Sequence, residues 1–177
     1  MAAPPRRIEP PFLDPPLSDY PSGQRHSHAW TEYHQSVADR LASLQSVTDG
    51  SEAAAGAVGE YVTASGSIGL TPGLAANAAV LALSAGDWDV WGRAEFVPGA
   101  GGISQSVAAS VSSASNALSG VLTQLPYTAP AGALVALPTG VLRLNLAAAG
   151  TAYLVVRASF TVAAMTCNGV IMARRAR

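Results

Sequence analysis

The chain has 177 residues, with 10 Arg and no Lys against 11 carboxylates and a net charge of −1. That length holds one domain plus an appendage rather than two full domains, and so small a net charge gives no field to draw the protein to nucleic acid or an anionic membrane. A single cysteine, Cys167, excludes an intrachain disulfide, fits folding in a reducing compartment and reads as a small buried residue rather than a nucleophile.

Charge is unevenly placed along the chain. Eight carboxylates lie at or before Glu60, and the stretch after it holds only Asp87, Asp89 and Glu95 against six arginines. The N-terminal MAAPPRR is followed by prolines where an apolar signal region would stand, so no export signal is expected. Residues 1–26 contain seven of the twelve prolines, in pairs at Pro4-Pro5, Pro10-Pro11 and Pro15-Pro16. Proline removes amide donors and fixes φ, so this arm is expected to be extended. It reads either as a tail or, through Ile8, Phe12, Leu13, Leu17 and Tyr20, as an anchoring peptide for a partner's groove.

Residues 27–48 have helical periodicity. Trp30, His34, Val37, Leu41 and Leu44 follow the alternating four-three spacing of a coiled-coil seam, which predicts a short oligomerising helix with Ser27 as its N-cap. Three heptads are marginal alone, and one amphipathic helix packed on its own domain is the competing reading. His26, His28 and His34 match no established zinc spacing, so a polar layer is preferred to a metal site. Residues 49–59 read as a small-residue linker.

Residues 60–177 read as all β. Trp88, Val90, Ala94 and Phe96 alternate with Asp87, Asp89, Trp91, Arg93 and Glu95, as an inward and an outward face require. The same pattern sets Leu142, Leu144 and Leu146 against Val141, Arg143 and Asn145. It also sets Leu154, Val156, Ala158, Phe160 and Val162 against Tyr153, Val155, Arg157 and Thr161. Further strands are expected over Tyr61–Ile68, Ala79–Ala85, Ser104–Ser113, Gly120–Gln124 and Thr166–Arg174, about eight in all, separated by Gly/Pro turns such as Pro138-Thr139-Gly140. With no helix long enough for a parallel crossover, the expected fold is an antiparallel jelly-roll sandwich. Long uncharged runs are interrupted too often by Gly, Ser, Thr and Pro to span a membrane as helices.

Trp91, Val141, Tyr153 and Val155 fall on outward positions and are expected to form a subunit interface or exposed apolar face, which points to a symmetric oligomer, preferably a homotrimer. No catalytic constellation stands out. Asp87, Asp89 and Glu95 lie on one strand face and read as solubilising charges, with Asp89 and Arg93 alternatively members of cross-strand or intersubunit pairs; Gly99–Gly102 is too short for a phosphate loop, and no histidine lies in the β block to serve a triad. The closing Arg174, Arg175 and Arg177 read as ending the last strand in solvent or pairing with a sister subunit's carboxylate, three charges giving nucleic acid only modest affinity. No enzyme activity, cofactor or metal is expected.

The run Leu81-Ala82-Leu83-Ser84-Ala85-Gly86-Asp87-Trp88-Asp89-Val90-Trp91-Gly92, the later Gly140-Val141-Leu142-Arg143-Leu144-Asn145 and the ending Asn168-Gly169-Val170-Ile171-Met172-Ala173-Arg174-Arg175-Ala176-Arg177 resemble a jelly-roll module of tailed-bacteriophage structural proteins. The arm and the Trp30 helix resemble phage virion leaders. The resemblance implies a trimeric knob on a virion, assembled in the host cytoplasm, with capsid, portal or adaptor, or tail proteins as partners. Two functions follow: a capsid decoration, head fibre or short fibre, or a receptor-binding tail-fibre tip recognising a host glycan or protein. The Gly/Ala/Pro character of loops 98–103 and 128–132, with only Tyr127 nearby, favours the structural one.

Overall fold

The inward face of the Trp88 strand sets the architecture. Trp88, Val90, Gly92, Ala94 and Phe96 are all buried, whereas Asp89, Trp91 and Glu95 are half-buried and Arg93 is exposed. A strand so divided needs a second layer over its apolar side, and fully burying each large side chain contributes about 1.5–3 kcal/mol. In a computed structural model, which describes residues 28–44, 53–126, 128–161 and 164–176, that layer is a second antiparallel sheet. Two compact units divide the chain, through Ser51 and from Glu52.

The second unit contains nine strands: β1 (Tyr61–Leu70), β2 (Ala75–Leu83), β3 (Gly86–Pro98), β4 (Ile103–Ser112), β5 (Leu122–Leu125), β6 (Val135–Pro138), β7 (Leu142–Leu146), β8 (Gly150–Thr161) and β9 (Met165–Arg175). Sheet A has the order β1-β9-β3-β6, with β7 also paired to β3, and sheet B the order β2-β8-β4-β5. Every pairing is antiparallel. The core lies between the sheets, with Phe96, Cys167 and Ile171 of sheet A facing Leu154, Val156 and Val111 of sheet B.

The count exceeds the expected eight because one edge lane of sheet A is broken in two. β6 pairs with Arg93–Phe96 and β7 with Gly86–Val90, and Thr139 bonds Gly92 between them through its backbone N–H and its side-chain oxygen. Pro138 cannot donate to the ladder, and Val141 turns outward to 58% exposure, so the lane is interrupted rather than continued.

The sheets approach closely at a row of small residues. Gly66, Gly169 and Ala94 are register neighbours across β1, β9 and β3. A Cβ on Gly169 would lie 2.8 Å from both Ala78 Cβ and Leu154 Cδ2. The β2 ladder slips between Asn77 and Ala79, and the extra residue, Ala78, fits the hollow these glycines leave.

The first unit contains α1 (His28–Leu44), 17 residues long. Its exposed turns are tied by Gln35 Nε2 donating to Asp39 Oδ1 at 2.9 Å, and by Ser36 Oγ donating to the Glu32 carbonyl at 2.9 Å. Along the expected seam, His34 is exposed, Val37 half-buried and Leu41 57% exposed. The side chains of Trp30 and Leu44 lie outside the described residues, as do the arm with Ile8, Phe12, Leu13, Leu17 and Tyr20, the cap Ser27, and Tyr127.

Candidate functional site

One end of the core is closed by a polar cluster built from the Ser84–Asp89 turn. Arg175, expected in solvent or against a sister subunit, instead points inward and is 6% exposed. It is the last inward position of β9, where the period-two alternation of that strand places it beside Trp88 on β3. Its Nε donates to Glu60 Oε2 at 2.9 Å, Nη1 to the Ala85 carbonyl at 2.7 Å and Nη2 to Ser84 Oγ at 2.5 Å. Its Cζ stands 4.4 Å from the Trp88 ring centroid, and Trp88 Nε1 donates to the Ser84 carbonyl. Gly86 makes room for this: its φ is +145°, and a Cβ there would collide with the guanidinium. A buried ion is tolerated only when its donors are paired, and here each guanidinium nitrogen has an acceptor.

Asp87 also departs from expectation. It is buried rather than solubilising, because Arg143 of β7 grips it through Nε to Oδ1 at 2.7 Å and Nη2 to Oδ2 at 2.6 Å. The same guanidinium reaches Asp89 Oδ1 at 3.3 Å, a cross-strand pair of the kind anticipated. Hydrogen bonding to Asp87 is the main cause that raises the Arg143 pKa above its usual value; desolvation comes next and opposes it, and the charges of Asp87 and Asp89 add to the rise. Glu95 pairs with Arg93 at 3.5 Å. Cys167 is fully buried, as expected, and burial pushes its pKa up to about 12.

The four apolar positions expected to share an outward face divide between the two sheets. Trp91 and Val141 meet on the outer face of sheet A, where they line one hollow of about 400 Å³ with Asp89 and Arg174. Tyr153 lies on the outer face of sheet B beside Val80, which is 51% exposed. Val155 is not on an exposed face at all: its exposure is 0%. Its register neighbours are Asn77 on β2 and Ser110 on β4. The segment after β4 folds back over that row. Asn77 Nδ2 donates to Ser115 Oγ, the Asn116 N–H to Asn77 Oδ1, and the Ser119 N–H to Ser110 Oγ. Val155 is therefore a second, local core beneath this loop.

Sequence reasoning missed the row Tyr61–Arg174–Asp89–Arg143, which runs across β1, β9, β3 and β7. Tyr61 and Trp91 face each other with ring centroids 6.2 Å apart. The signal was the outward alternation of each strand, but the register that joins them is non-local. Among the described residues no group of three or more His, Cys, Asp or Glu is placed to hold a metal, and no helix is long and apolar enough to cross a membrane.

No protein-family model matches the chain, and no curated protein does. Among solved structures, the chain is similar to one in the structure of infectious bursal disease virus Gx strain, at 10% identity and a TM-score of 0.41, over 75% of this chain and 37% of that one. It is also similar to one in the crystal structure of the T13 infectious bursal disease virus particle, at 9% identity and a TM-score of 0.37, over 74% and 39%. The chain thus spans less than two-fifths of the length of these chains. Likeness at this level leaves the functional reading to the chain's own residues.

Proposed function

We propose that this protein is a non-enzymatic structural component of a virus particle, a homotrimer of jelly-roll modules of the tailed-bacteriophage type held to the particle by the Pro-rich arm through residue 26. The strand order supports the jelly-roll reading. Except at β4–β5 and β6–β7, successive strands cross between the sheets, so that β1, β9, β3 and the β6–β7 lane form one and β2, β8, β4 and β5 the other, as two interleaved Greek keys do.

The observation that carries the assembly role is the outer face of sheet B. Its outward positions left uncovered by the 113–119 loop include Val80, Tyr153, Leu122 and Gln124, and Arg157 is the one charged residue of this face among those described. Val80 and Leu122 are large and exposed. A face so poor in charge suits contact with a sister subunit, since interface cores are depleted of charge. Sheet A carries Asp89, Arg93, Glu95, Arg143 and Arg174 outward and suits the exposed side. Val37 and Leu41 of α1 leave a helical seam available for setting the order at three.

The non-enzymatic reading is supported by the state of the reactive groups. The Asp87 and Asp89 carboxylates are taken up by Arg143, and the Cys167 thiol is buried and held neutral.

Light scattering on the full chain tests the assembly. A trimer of 17.9 kDa chains gives about 54 kDa, and Tyr153→Arg with Val80→Arg should reduce it toward a single chain. A wild-type mass near 18 kDa refutes the trimer. Removing residues 1–26 should leave the oligomer intact but absent from purified particles; incorporation of the truncated chain refutes the anchoring role.

A further inference from the structure

The outer face of sheet A holds a concave site whose chemistry is not used by the assembly reading. Tyr61 and Trp91, on the strands flanking β9, approach each other across it with ring centroids 6.2 Å apart. Beside them the hollow of about 400 Å³ is lined by Asp89, Trp91, Val141 and Arg174. A second hollow of about 270 Å³ continues past the same Asp89 and Arg174 to Val58, Gly59 and Ala176. Arg174 therefore lines both hollows, one with Trp91 and Val141 and the other with Val58, Gly59, Arg175 and Ala176.

The charges here are unequal. Asp89 is engaged by Arg143 at 3.3 Å and is held in place. Arg174 is exposed and, among the described residues, takes no hydrogen bond or ion pair. The carboxylates among the described residues of this unit are already engaged: Glu60 by Arg175, Asp87 and Asp89 by Arg143, and Glu95 by Arg93. An unpaired guanidinium presents a planar fork of donors suited to a carboxylate. The adjacent indole and phenol offer flat apolar faces to the C–H side of a ring, and Asp89 offers acceptors to hydroxyl groups.

From this arrangement we propose that the Trp91–Arg174 face of sheet A binds a carboxylated saccharide. The sugar ring stacks at Trp91 and Tyr61, its hydroxyls donate to Asp89, and its carboxylate is held by Arg174. A neutral sugar would leave Arg174 unused, and a small carboxylate without a ring would leave the aromatic pair unused. Volumes of about 300–1,000 Å³ suit small ligands, which fits one or two sugar units here. The site goes beyond the assembly role, and it lies on the opposite sheet from the proposed subunit contact.

The test is calorimetric titration of the full chain with four probes: a galacturonic acid oligomer, sialyllactose, lactose and acetate. At least one of the carboxylated saccharides should bind with Kd of about 1 mM or tighter, and at least tenfold more tightly than lactose or acetate, equivalent to about 1.4 kcal/mol. The oligomer and sialyllactose separate a uronic from a sialic source, and binding of either supports the proposal. Arg174→Gln should abolish the preference over lactose, and Trp91→Ala should abolish binding. Arg157→Gln, which removes the same charge from sheet B, should leave both unchanged. Circular dichroism melting of each variant checks that the fold persists, and scattering separates the site from the trimer, because sheet A variants should keep the parent mass. The proposal is overturned if neither carboxylated saccharide binds, if lactose or acetate binds equally well, or if Arg174→Gln binds like the parent.

Discussion

Replacing Arg175 with Met is the most direct challenge to the account of the core. The side chain is nearly fully buried, and the substitution removes three donors at once. Glu60, whose side chain is 12% exposed, loses its ionic partner, the Ala85 carbonyl and Ser84 Oγ lose hydrogen bonds, and Trp88 loses the guanidinium over its ring. Breaking a buried pair by removing one partner costs about 3–5 kcal/mol. For a unit of this size that corresponds to a fall in Tm on the order of 10–20 °C. A second substitution, Glu60→Gln, keeps an acceptor for the Gly56 N–H, which now donates to Glu60 Oε2 at 2.7 Å, while removing the stranded charge. The double variant should therefore recover at least about 2 kcal/mol relative to the sum of the single variants. Urea unfolding of the four proteins supplies the cycle. A single-variant loss below about 1 kcal/mol, or additive effects, would refute the view that Arg175 and Glu60 act as a closed pair.

Other consequences are as specific. Gly86→Ala drives a methyl group into the Arg175 guanidinium and should destabilise by about 2 kcal/mol or more, read by thermal melting, whereas Gly120→Ala, with open space around the new atom, should not. Val155→Ser should cost about 2 kcal/mol by opening the small core under the 113–119 loop, and Val141→Ser should stay within about 0.5 kcal/mol. For Cys167 the folded pKa, about 12, lies above its ordinary value of 9.0. The unfolded chain therefore releases the proton first, and the stability this contributes is complete below pH 9 and lost as pH rises from 9 toward 12. Unfolding midpoints should fall over that range by up to about 1.4 kcal/mol per pH unit, and Cys167→Ala should flatten the decline. At pH 8 the native thiol should react with iodoacetamide far more slowly than the urea-unfolded chain; equal rates would contradict its burial.

The strands with strict alternation were legible from the sequence. β3, β7 and β8 were recognised from one apolar face each, because period two is a property of the extended backbone itself. β6 was not. Val135 and Leu137 point inward within only four residues ending at Pro138, too short a run to separate from the Gly/Pro turns around it. Asp87 was assigned to the correct side of its strand, but its burial depends on Arg143, which arrives from 56 positions away. Val155 shows the limit most clearly: alternation predicts an outward position, and the segment after β4, held by Asn77 and Ser110 on the neighbouring strands, covers it.

By itself, the sequence determined that residues after Glu60 form antiparallel strands with one face inward, that α1 is a helix, and that Cys167 is an inert buried thiol. These follow from local geometry and composition, where neighbouring residues carry the whole signal. Only the tertiary structure decided which outward positions meet. It sent Trp91 and Tyr153 to opposite sheets, turned Arg175 inward onto Glu60 across 115 positions of chain, and set Arg174 in register between Tyr61 and Asp89. Register between distant strands is settled by the packing of two whole faces at once, and no local pattern contains that sum.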